Sequence, residues 1–471
     1  MHVVYRESHG LEETETPTDL GQDAADLIVL SHSDSDLGAF AAGWRRGRAT
    51  LPSLRLANIT ALRHPLSVDT YVERTLRGAR GILVRIIGGS SYWPYGLAAL
   101  SDLARRNGIA LAVLPVDGRD DAQLDAFSTL PISTLRQLRA ACDAGGAVAA
   151  HAALSQLAAA CGLASEASFD APAISAFGFY DPQAGPLSGP PESGSRPRAL
   201  VTFYRSYLTA ADMAPVDAII DALGAKGFDA YGAFMPSLKA GGVGAWLGAH
   251  LTAMPPAVIV NLTAFSASGA DGTTPFDAAP CPVFQVALST NRRRDWAQSA
   301  RGLSPADLAM HIVLPEVDGR IFAGVVSFKS PGSRDPDLQF SHFAHGADAG
   351  RVAQVAGRIA AWHRLSCTTP PEKRLAIVLS SYPGRPHQIA HAVGLDALAS
   401  AEALLSDLAA AGFAVAAGHA LGQSLLSKTE AWPLAEYLEH LAGLPPSLQQ
   451  ALASEWGEPE DDPSCRDGAF H

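Results

Sequence analysis

Glu316, Asp318 and Arg320 alternate in the segment LPEVDGRI, the densest charged cluster in the sequence. Alternate residues share one face of an extended segment, so the two carboxylates are expected on the same side. Carboxylates together with the imidazole of His311 are suitable ligands for a divalent cation. We therefore predict a metal site formed by His311, Glu316 and Asp318. The alternative is a β-hairpin with an exposed ion pair, because Asp-Gly at 318–319 is a strong turn signal.

A second candidate site is the segment GGSSYWPYG, residues 88–96, which follows a predicted strand. Its glycines permit close backbone approach, and the rings of Tyr92, Trp93 and Tyr95 offer flat apolar area for a large planar ligand. We predict that these three residues bind substrate; the alternative is an ordinary strand-to-helix turn whose rings pack on the core. Asn261 ends another predicted strand and is predicted either to hydrogen-bond a ligand carboxamide or to cap a loop.

Other motifs are weaker or absent. His387 and His391 have the i, i+4 spacing of zinc proteases, but Gln388 stands where that motif needs glutamate, so a structural pair is favoured. The same interpretation applies to His342 and His345. The sequence has no G-x-x-x-x-G-K-[S/T] phosphate loop and no G-x-S-x-G elbow, and the glycines at 242–248 depart from the dinucleotide spacing. No catalytic residue is predicted from these patterns.

Composition narrows the class of protein. The 471-residue chain carries 35 Lys plus Arg and 47 Asp plus Glu, a formal net charge of −12. Basic runs occur only at 45–48 and 292–294, so nucleic acid is not an expected partner. Five widely spaced cysteines without a Cys-x-x-Cys pair suit a reducing compartment. With no apolar run of the roughly 18 residues that span a membrane and no secretory signal, we expect a cytoplasmic protein without a membrane partner.

Short β-branched runs alternate with amphipathic helical patterns along the chain. Strands are predicted at 26–32, 54–59, 81–87, 109–116, 198–204, 230–235, 257–262, 282–288, 374–381 and 413–417. Helices are predicted at 96–107, 134–165, 214–226, 347–365 and 398–411, and Gly108 is a natural cap for the first of them. This alternation favours an α/β fold with tandem doubly wound parallel sheets, Rossmann-like or flavodoxin-like, and added helices.

The domain organisation follows from length and composition. At a typical domain size of about 150 residues, the length of the chain suggests roughly three domains. We predict a first α/β domain over 1–130, a helical segment over 131–182, a Pro/Gly/Ser-rich linker over 183–197, a second α/β domain over 198–370 and the truncated start of a third α/β unit over 371–471.

A series of further segments carries a family resemblance. They are LSVDTYVERT at 66–75, GGSSYWPYG at 88–96, FYRSYL at 203–208, APVD at 214–217, RGLSP at 301–305, LPEVDGRI at 314–321, VSFK at 326–329, GLD at 394–396, WGEPEDDP at 456–463 and RDGAF at 466–470. In their order and spacing they resemble the large subunit of aerobic cobaltochelatase, the CobN family, which is related to the H subunit of magnesium chelatase.

The resemblance implies ATP-dependent insertion of Co2+, as a substrate, into the corrinoid hydrogenobyrinic acid a,c-diamide during adenosylcobalamin synthesis. It also implies two partner subunits, one of them an AAA+ ATPase that hydrolyses ATP with Mg2+, in keeping with the missing phosphate loop here. Arg205, within the segment FYRSYL, joins the predicted substrate-binding residues. Carboxylate and imidazole groups at the cleft would act as ion ligands and proton acceptors.

The sequence departs from the family pattern in one respect. The family's His-Gly-x-Leu-Glu segment, with the glutamate proposed as catalytic, has no match, because His9-Gly10 and His345-Gly346 lack Leu-Glu at the required spacing. We expect the chain to be an N-terminal portion or truncated form of a longer subunit that lacks this segment. Two alternatives stay open: a non-catalytic tandem α/β protein that clamps a small molecule, and a magnesium chelatase H-type subunit acting on a porphyrin.

Overall fold

The structure is a computed structural model that describes residues 16–116, 120–164, 174–192, 194–269, 272–379, 390, 394–415, 421, 425 and 431–470. The chain divides into two compact units, Met1–His363 and Arg364–His471. The first unit contains one parallel and one mainly parallel sheet, and the second contains helices and a small antiparallel sheet. The boundary at 363/364 lies a few residues before the predicted one at 370/371.

The first sheet has four parallel strands in the order β2-β1-β3-β4. They are β1 (Leu27–Ser31), β2 (Leu54–Asn58), β3 (Gly81–Ile86) and β4 (Ala110–Pro115). Successive side chains of a strand face opposite sides of a sheet, so a strand that is apolar throughout must be covered on both. In β1 the side chains of Leu27 and Val29 enter one buried cluster, and those of Ile28 and Leu30 enter another.

Helices cover both faces of this sheet. They are α1 (Asp34–Arg46), α2 (Pro65–Tyr71), α3 (Pro94–Asn107), α4 (Ala122–Asp125), α5 (Ile132–Ala144) and α6 (Gly146–Ala160). The buried side chains of α1, α5 and α6 belong to the cluster with Leu27, and those of α2 and α3 to the cluster with Ile28. The predicted cap is confirmed, because α3 ends at Gly108 in the left-handed conformation with φ 67°.

The second sheet has eight strands in the order β12-β11-β10-β9-β7-β8-β5-β6. They are β5 (Gly178–Asp181), β6 (Gly185–Leu187), β7 (Arg198–Tyr204), β8 (Asp229–Met235), β9 (Val258–Asn261), β10 (Val283–Ser289), β11 (Ile321–Pro331) and β12 (Phe343–Ala347). The five central strands, from β11 to β8, are parallel, whereas β12 and β5 pair antiparallel at the two sides.

Helices again lie on both faces of the second sheet. They are α7 (Arg205–Ala210), α8 (Ala214–Ala225), α9 (Val243–Ala253), α10 (Arg293–Gln298), α11 (Pro305–Leu308), α12 (Leu314–Val317) and α13 (Ala349–Cys367). Ile219 of α8 and Val355 of α13 share a buried cluster with Val201, whereas Leu247 of α9 lies in the cluster of Leu200. The predicted α/β fold with tandem, mainly parallel sheets is confirmed.

A strap, residues 332–342 between β11 and β12, joins the two sheets. Its Leu338 is fully buried in the same cluster as the α1 residues of the first sheet. Arg55 Nη1 donates to the Asp337 carbonyl at 2.7 Å, and Gln22 Nε2 donates to the Gln339 carbonyl at 3.0 Å. A loop of the second half therefore completes the core of the first half.

The second unit differs from its prediction. Its elements are α14 (Ala397–Ala410), β13 (Trp432–Pro433), α15 (Leu434–Ala442), α16 (Pro446–Trp456), β14 (Cys465–Arg466) and β15 (Ala469–Phe470), with the strands in the order β13-β15-β14. Residues 374–379 and 413–415, the described parts of two predicted strands, form no strand. A strand needs a hydrogen-bonded neighbour, which an apolar run does not supply by itself.

The predicted linker over 183–197 is wrong at its start. Gly185–Leu187 forms β6, which pairs with β5 at the side of the second sheet, because a Pro/Gly-rich segment is compatible with an edge strand. Among the described residues, no helix combines the length and apolarity needed to cross a bilayer.

Replacing Leu338 with alanine should destabilise the protein by about 2–5 kcal/mol, because it leaves a cavity in the core that the strap completes. The matched control is Leu66→Ala, since Leu66 is 53% exposed on α2 and its truncation should change the free energy of unfolding by less than about 1 kcal/mol. Urea unfolding measures both variants. Equal losses would show that the strap does not belong to the core.

Candidate functional site

The second sheet contains a point at which the order of strands reverses. The chain passes from β7 to β8 on one side and then crosses to β9 on the other side of β7. In open parallel sheets, ligands bind outside the carboxyl ends of the strands at such a switch point. The residues to consider are therefore those that follow β7, at Arg205, and β9, at Leu262.

Asn261, the last residue of β9, is fully buried and holds the following loop. Its Nδ2 donates to Gln285 Oε1 at 2.7 Å and to the Thr263 carbonyl at 3.1 Å, and its Oδ1 accepts from Thr202 Oγ1 at 2.7 Å. These partners lie on the neighbouring strands and in the loop itself. The geometry is that of the loop-capping alternative, with the carboxamide directed into the protein.

A buried ion pair fixes the same loop. Arg320 Nη2 and Asp318 Oδ2 are 2.7 Å apart, and their side chains are 1% and 0% exposed. Asp318 also accepts from Ser266 Oγ and from the Ala267 N–H, each at 2.6 Å, and Arg320 Nη1 donates to the Phe265 carbonyl at 3.3 Å. The pair thus joins the start of β11 to the loop after β9. Burial lowers the pKa of Arg320, and the charge of Asp318 opposes that shift.

Phe265 stands in this loop with φ 67°, and its side chain is 42% exposed. The left-handed conformation costs a non-glycine residue about 1–2 kcal/mol, so the surroundings must hold it. The Phe265 N–H donates to the Met310 carbonyl at 2.8 Å, and the Tyr204 hydroxyl bonds to both the N–H and the carbonyl of Ala264 at 3.0 and 2.9 Å. Every backbone polar atom of Phe265 therefore has a partner.

Pro315 explains why the Met310 carbonyl is available. Residues Ala309–Val313 form a π-helical turn in which the Leu314 N–H bonds to the Ala309 carbonyl. The next bond of that pattern would come from residue 315 to Met310, but proline has no N–H. The freed carbonyl accepts the Phe265 N–H instead.

The predicted extended face at 314–321 is wrong. Glu316 lies on the helix α12 and Asp318 lies in the turn after it, because the segment continues the helical turn that precedes it. The hairpin alternative is also wrong, since the strand after Gly319 is β11, which pairs parallel with β10.

The predicted metal ligands do not converge. Glu316 is exposed, His311 is buried in the π-helical turn, and both carboxylate oxygens of Asp318 are bonded to Arg320 and the β9 loop. In the part of the chain that the structure describes, no group of three or more His, Cys, Asp or Glu side chains is arranged to hold a metal ion.

A cluster of titratable side chains lies next to this loop, beyond α7. Asp212 accepts a hydrogen bond from the His345 N–H at 3.0 Å. The His345 Nδ1 lies 3.3 Å from Ser327 Oγ, and its ring centroid is 5.9 Å from that of Tyr207. Lys329 stands opposite His345 in the β11–β12 pairing. Sheet pairing, α7 and the segment after α7 thus bring five polar side chains together.

Burial shifts the pKa values of the side chains in this cluster. It lowers the pKa of His345 to about 3, with the nearby positive charge of Lys329 acting in the same direction. It raises the pKa of Asp212 to about 6, which the hydrogen bond from His345 opposes. Burial also raises the pKa of Tyr207. At neutral pH the cluster therefore holds a neutral imidazole and a carboxyl group that gains or loses a proton easily.

The first sheet approaches this cluster through α1. Gly38 of α1 lies against the ring of His342, and a side chain at Gly38 would collide with that ring and with the Ala210 carbonyl. Burial lowers the pKa of His342, and the charge of Asp34 at the start of α1 opposes the shift. Because α1 follows β1 and α7 follows β7, the carboxyl edges of the two sheets meet here.

The aromatic loop after β3 lies at the carboxyl edge of the first sheet. Tyr92 is 62% exposed, and its ring stands edge-on to His32 at 6.1 Å. Tyr95 is exposed and its hydroxyl donates to Asp69 at 2.7 Å. Trp93 is buried, and its indole N–H donates to a backbone carbonyl. For this ring the structure has the core-packing alternative. Tyr92 is the ring of the three that is most open to a ligand.

Arg205, the remaining predicted substrate-binding residue, is the first residue of α7. Its Nε and Nη2 donate to the carbonyls of Ser175 and Ile174 at 2.9 and 2.8 Å. Among the described residues no carboxylate pairs with it, and partial burial lowers its pKa. A positive charge without a described counter-ion thus stands at the switch point.

Sequence reasoning missed Phe265, Asp212 and His345. The backbone conformation of Phe265 has no local sequence signal, because phenylalanine rarely adopts a positive φ. In the sequence, His345 is compared only with a metal motif, and no pattern singles out Asp212. The segment VSFK, which carries Ser327 and Lys329, was one sign of the family resemblance and could have drawn attention to the neighbouring strand.

The fold is that of an open α/β protein in which the carboxyl edges of two sheets lie together. The sequence profile described as CobN/Magnesium Chelatase matches residues 142–470. The chain therefore belongs to the CobN/magnesium chelatase family, as the resemblance implied.

Individual relatives agree with this assignment. The chain is 35% identical to the aerobic cobaltochelatase subunit CobN of Sinorhizobium sp over 100% of its length and 39% of that protein, and 32% identical to the one of Pseudomonas aeruginosa over 99% and 39%. It also matches the catalytic subunit of cobaltochelatase from Mycobacterium tuberculosis with a TM-score of 0.69 and 25% identity, over 94% of this chain and 37% of that one. The chain spans about two fifths of the length of these relatives.

The low pKa of His345 predicts a specific pH dependence of stability. Between pH 6.5 and about pH 3 the unfolded chain binds a proton on this imidazole that the folded protein excludes, so acidification weakens folding. His345→Gln should not show this loss of stability. On going from pH 7 to pH 5, its free energy of unfolding should rise by about 2 kcal/mol relative to that of the wild type. Urea unfolding at both pH values measures the difference.

Asp212→Asn provides the control of opposite sign. Because the pKa of Asp212 is raised in the folded protein, its protonated carboxyl group contributes to stability at low pH, and this contribution is lost as the pH rises through 6. On going from pH 5 to pH 7, the free energy of unfolding of Asp212→Asn should therefore rise by about 1 kcal/mol relative to that of the wild type. If all three proteins showed the same pH dependence, the cluster would not be buried as described.

Proposed function

We propose that this chain forms part of the large subunit of a cobaltochelatase, which inserts Co2+ into hydrogenobyrinic acid a,c-diamide in adenosylcobalamin synthesis. The observation that carries the proposal is the similarity to two proteins named aerobic cobaltochelatase subunit CobN, which extends over 100% and 99% of this chain. The share of those proteins that is matched, 39%, leaves room for further parts of the subunit to contribute to the reaction.

The titratable cluster supports this chemistry. Inserting a metal ion into a tetrapyrrole-like macrocycle releases the protons of ring nitrogens, so groups that accept protons near neutral pH are needed. The carboxyl group of Asp212, with its pKa raised to about 6, has the required proton affinity, whereas the imidazole of His345, with its pKa lowered to about 3, stays unprotonated near neutral pH. Lys329 beside them would balance negative charge on the ligand.

ATP hydrolysis is assigned in this proposal to partner subunits. The chain has no phosphate loop, so a separate AAA+ ATPase with bound Mg2+ and ATP would supply the energy, together with its co-subunit. Metal and corrinoid would then be the substrates that this chain helps to bind. We propose Tyr92 and Arg205 as the predicted binding residues whose placement suits contact with the corrinoid.

A porphyrin is the alternative substrate. The chain is 29% identical over 229 residues to the magnesium-chelatase subunit ChlH of rice, which covers 46% of this chain and 16% of that protein. The shorter extent of this similarity favours the corrinoid. The third possibility, a clamp for some other small molecule without chelatase activity, makes a different prediction for ligand binding.

Tryptophan fluorescence of the purified chain should be quenched saturably by hydrogenobyrinic acid a,c-diamide and less by protoporphyrin IX. Trp93 and Tyr92 lie in the loop after β3, so a planar absorbing ligand bound near the carboxyl edges will quench nearby indoles. Sugars and amino acids serve as controls and should cause no quenching. A fluorescence titration at constant protein concentration gives the three affinities.

Stronger quenching by protoporphyrin IX would favour the porphyrin alternative. Quenching by a sugar or an amino acid alone would favour the small-molecule clamp. If neither macrocycle bound, even after addition of the complementary part of a CobN subunit, the proposed function would be wrong.

A further inference from the structure

Phe265 combines three properties that rarely occur together. Its ring is 42% exposed, its backbone has φ 67°, and it stands beside the strand switch point of the second sheet. Residues held in unfavourable backbone conformations cluster at ligand sites, because only a strongly constrained surrounding maintains them. Here the constraint comes from the buried pair of Asp318 and Arg320 and from Tyr204.

Phe265 is not an isolated apolar side chain. The loop that carries it is tied to the neighbouring helical segment at Met310 and again at Asp318, where the carboxylate holds Ser266 and Ala267. Between those two positions the helical segment exposes an apolar set. Its members are Val313, Leu314 and Val317. Exposed apolar side chains on two segments that are tied together in this way are candidates for an interaction surface.

Arg205 follows a residue that is bonded to the same loop. Tyr204, which precedes Arg205, reaches across to Ala264, which precedes Phe265. Arg205 bonds only to the carbonyls of Ser175 and Ile174 among the described residues, so its charge is not neutralised by them. A ligand suited to this surface has a flat apolar body and a carboxylate at its periphery.

We propose that Phe265, with Val313, Leu314 and Val317, forms a platform for one face of a planar macrocycle, and that Arg205 pairs with a peripheral carboxylate of that ligand. This inference rests on the proposed function and adds to it the binding subsite. The corrinoid acid of the proposed reaction has this chemistry, because its ring is broad and largely apolar and its side chains include carboxylates. Charge complementarity at Arg205 favours it over a neutral protein surface.

The strained backbone of Phe265 allows a test that separates binding from folding. Phe265→Gly removes the ring and places at φ 67° the residue that adopts this conformation without penalty. The thermal midpoint should therefore stay the same or rise. The affinity for hydrogenobyrinic acid a,c-diamide should fall about tenfold, the size expected for loss of one stacked ring.

Asp467→Gly is the matched control. Asp467 is an exposed non-glycine residue with φ 51°, so the substitution relieves the same kind of strain without removing an apolar ring. Its corrinoid affinity should equal that of the wild type. Fluorescence titration gives the affinities of the three proteins, and differential scanning calorimetry gives their midpoints.

A pair of substitutions tests the role of Arg205. Arg205→Gln should weaken corrinoid binding and reduce its dependence on salt concentration, because a charge-charge contact is screened by ions. Arg205→Lys keeps the positive charge and should retain most of the salt dependence. Equal salt dependence in all three proteins would show that Arg205 does not meet a carboxylate.

The results separate the two proposals. If the wild type binds the corrinoid and Phe265→Gly binds it equally well, the platform is wrong and the proposed function stands. The platform is also wrong if Phe265→Gly loses binding only to the complementary part of a CobN subunit, because the patch is then a protein interface. If the wild type binds no macrocycle, the proposed function fails and the platform fails with it.

Discussion

The buried ion pair between Asp318 and Arg320 is the interaction on which the carboxyl edge of the second sheet depends. Removing two charges from water is unfavourable, and such a pair persists only where further hydrogen bonds satisfy both groups. Here those bonds go to the loop after β9 and fix Phe265, Ser266 and Ala267. Loss of either partner would leave a buried charge uncompensated, at a cost of about 3–5 kcal/mol. The conformation of the loop is therefore tied to the stability of the fold.

The second constraint is the joining of the two sheets within the first unit. The strap buries Leu338 in the core of the first sheet, and α1 packs against His342 and Ala210 of the second half. Parallel sheets leave their ligand-binding edges open, so bringing two such edges together creates a region lined from both sides. Within the second half, burial lowers the pKa of His345 and raises that of Asp212.

The central strands and the helices α3, α8 and α13 of the first unit could be predicted because their cause is local. A run such as ILVRII is apolar throughout and short, and Gly108 can end a helix where other residues cannot. Errors arose where the outcome depends on a distant partner. Gly185–Leu187 becomes a strand because β5 is beside it, and residues 374–379 have the composition of a strand but no strand conformation. The segment 314–321 alternates in charge, yet it continues a helix that begins upstream.

By itself the sequence determined the α/β class, the family resemblance and the position of polar residues near strand ends, because periodicity and segment order are properties of the chain. It also placed Asn261 at the end of a strand, as the structure has it. Only the tertiary structure decided that Asn261 and Asp318 face inwards, that Phe265 is held outwards, and that Asp212 and His345 lie together. These outcomes depend on pairing between segments far apart in sequence. Burial, and with it proton affinity, is set by that pairing.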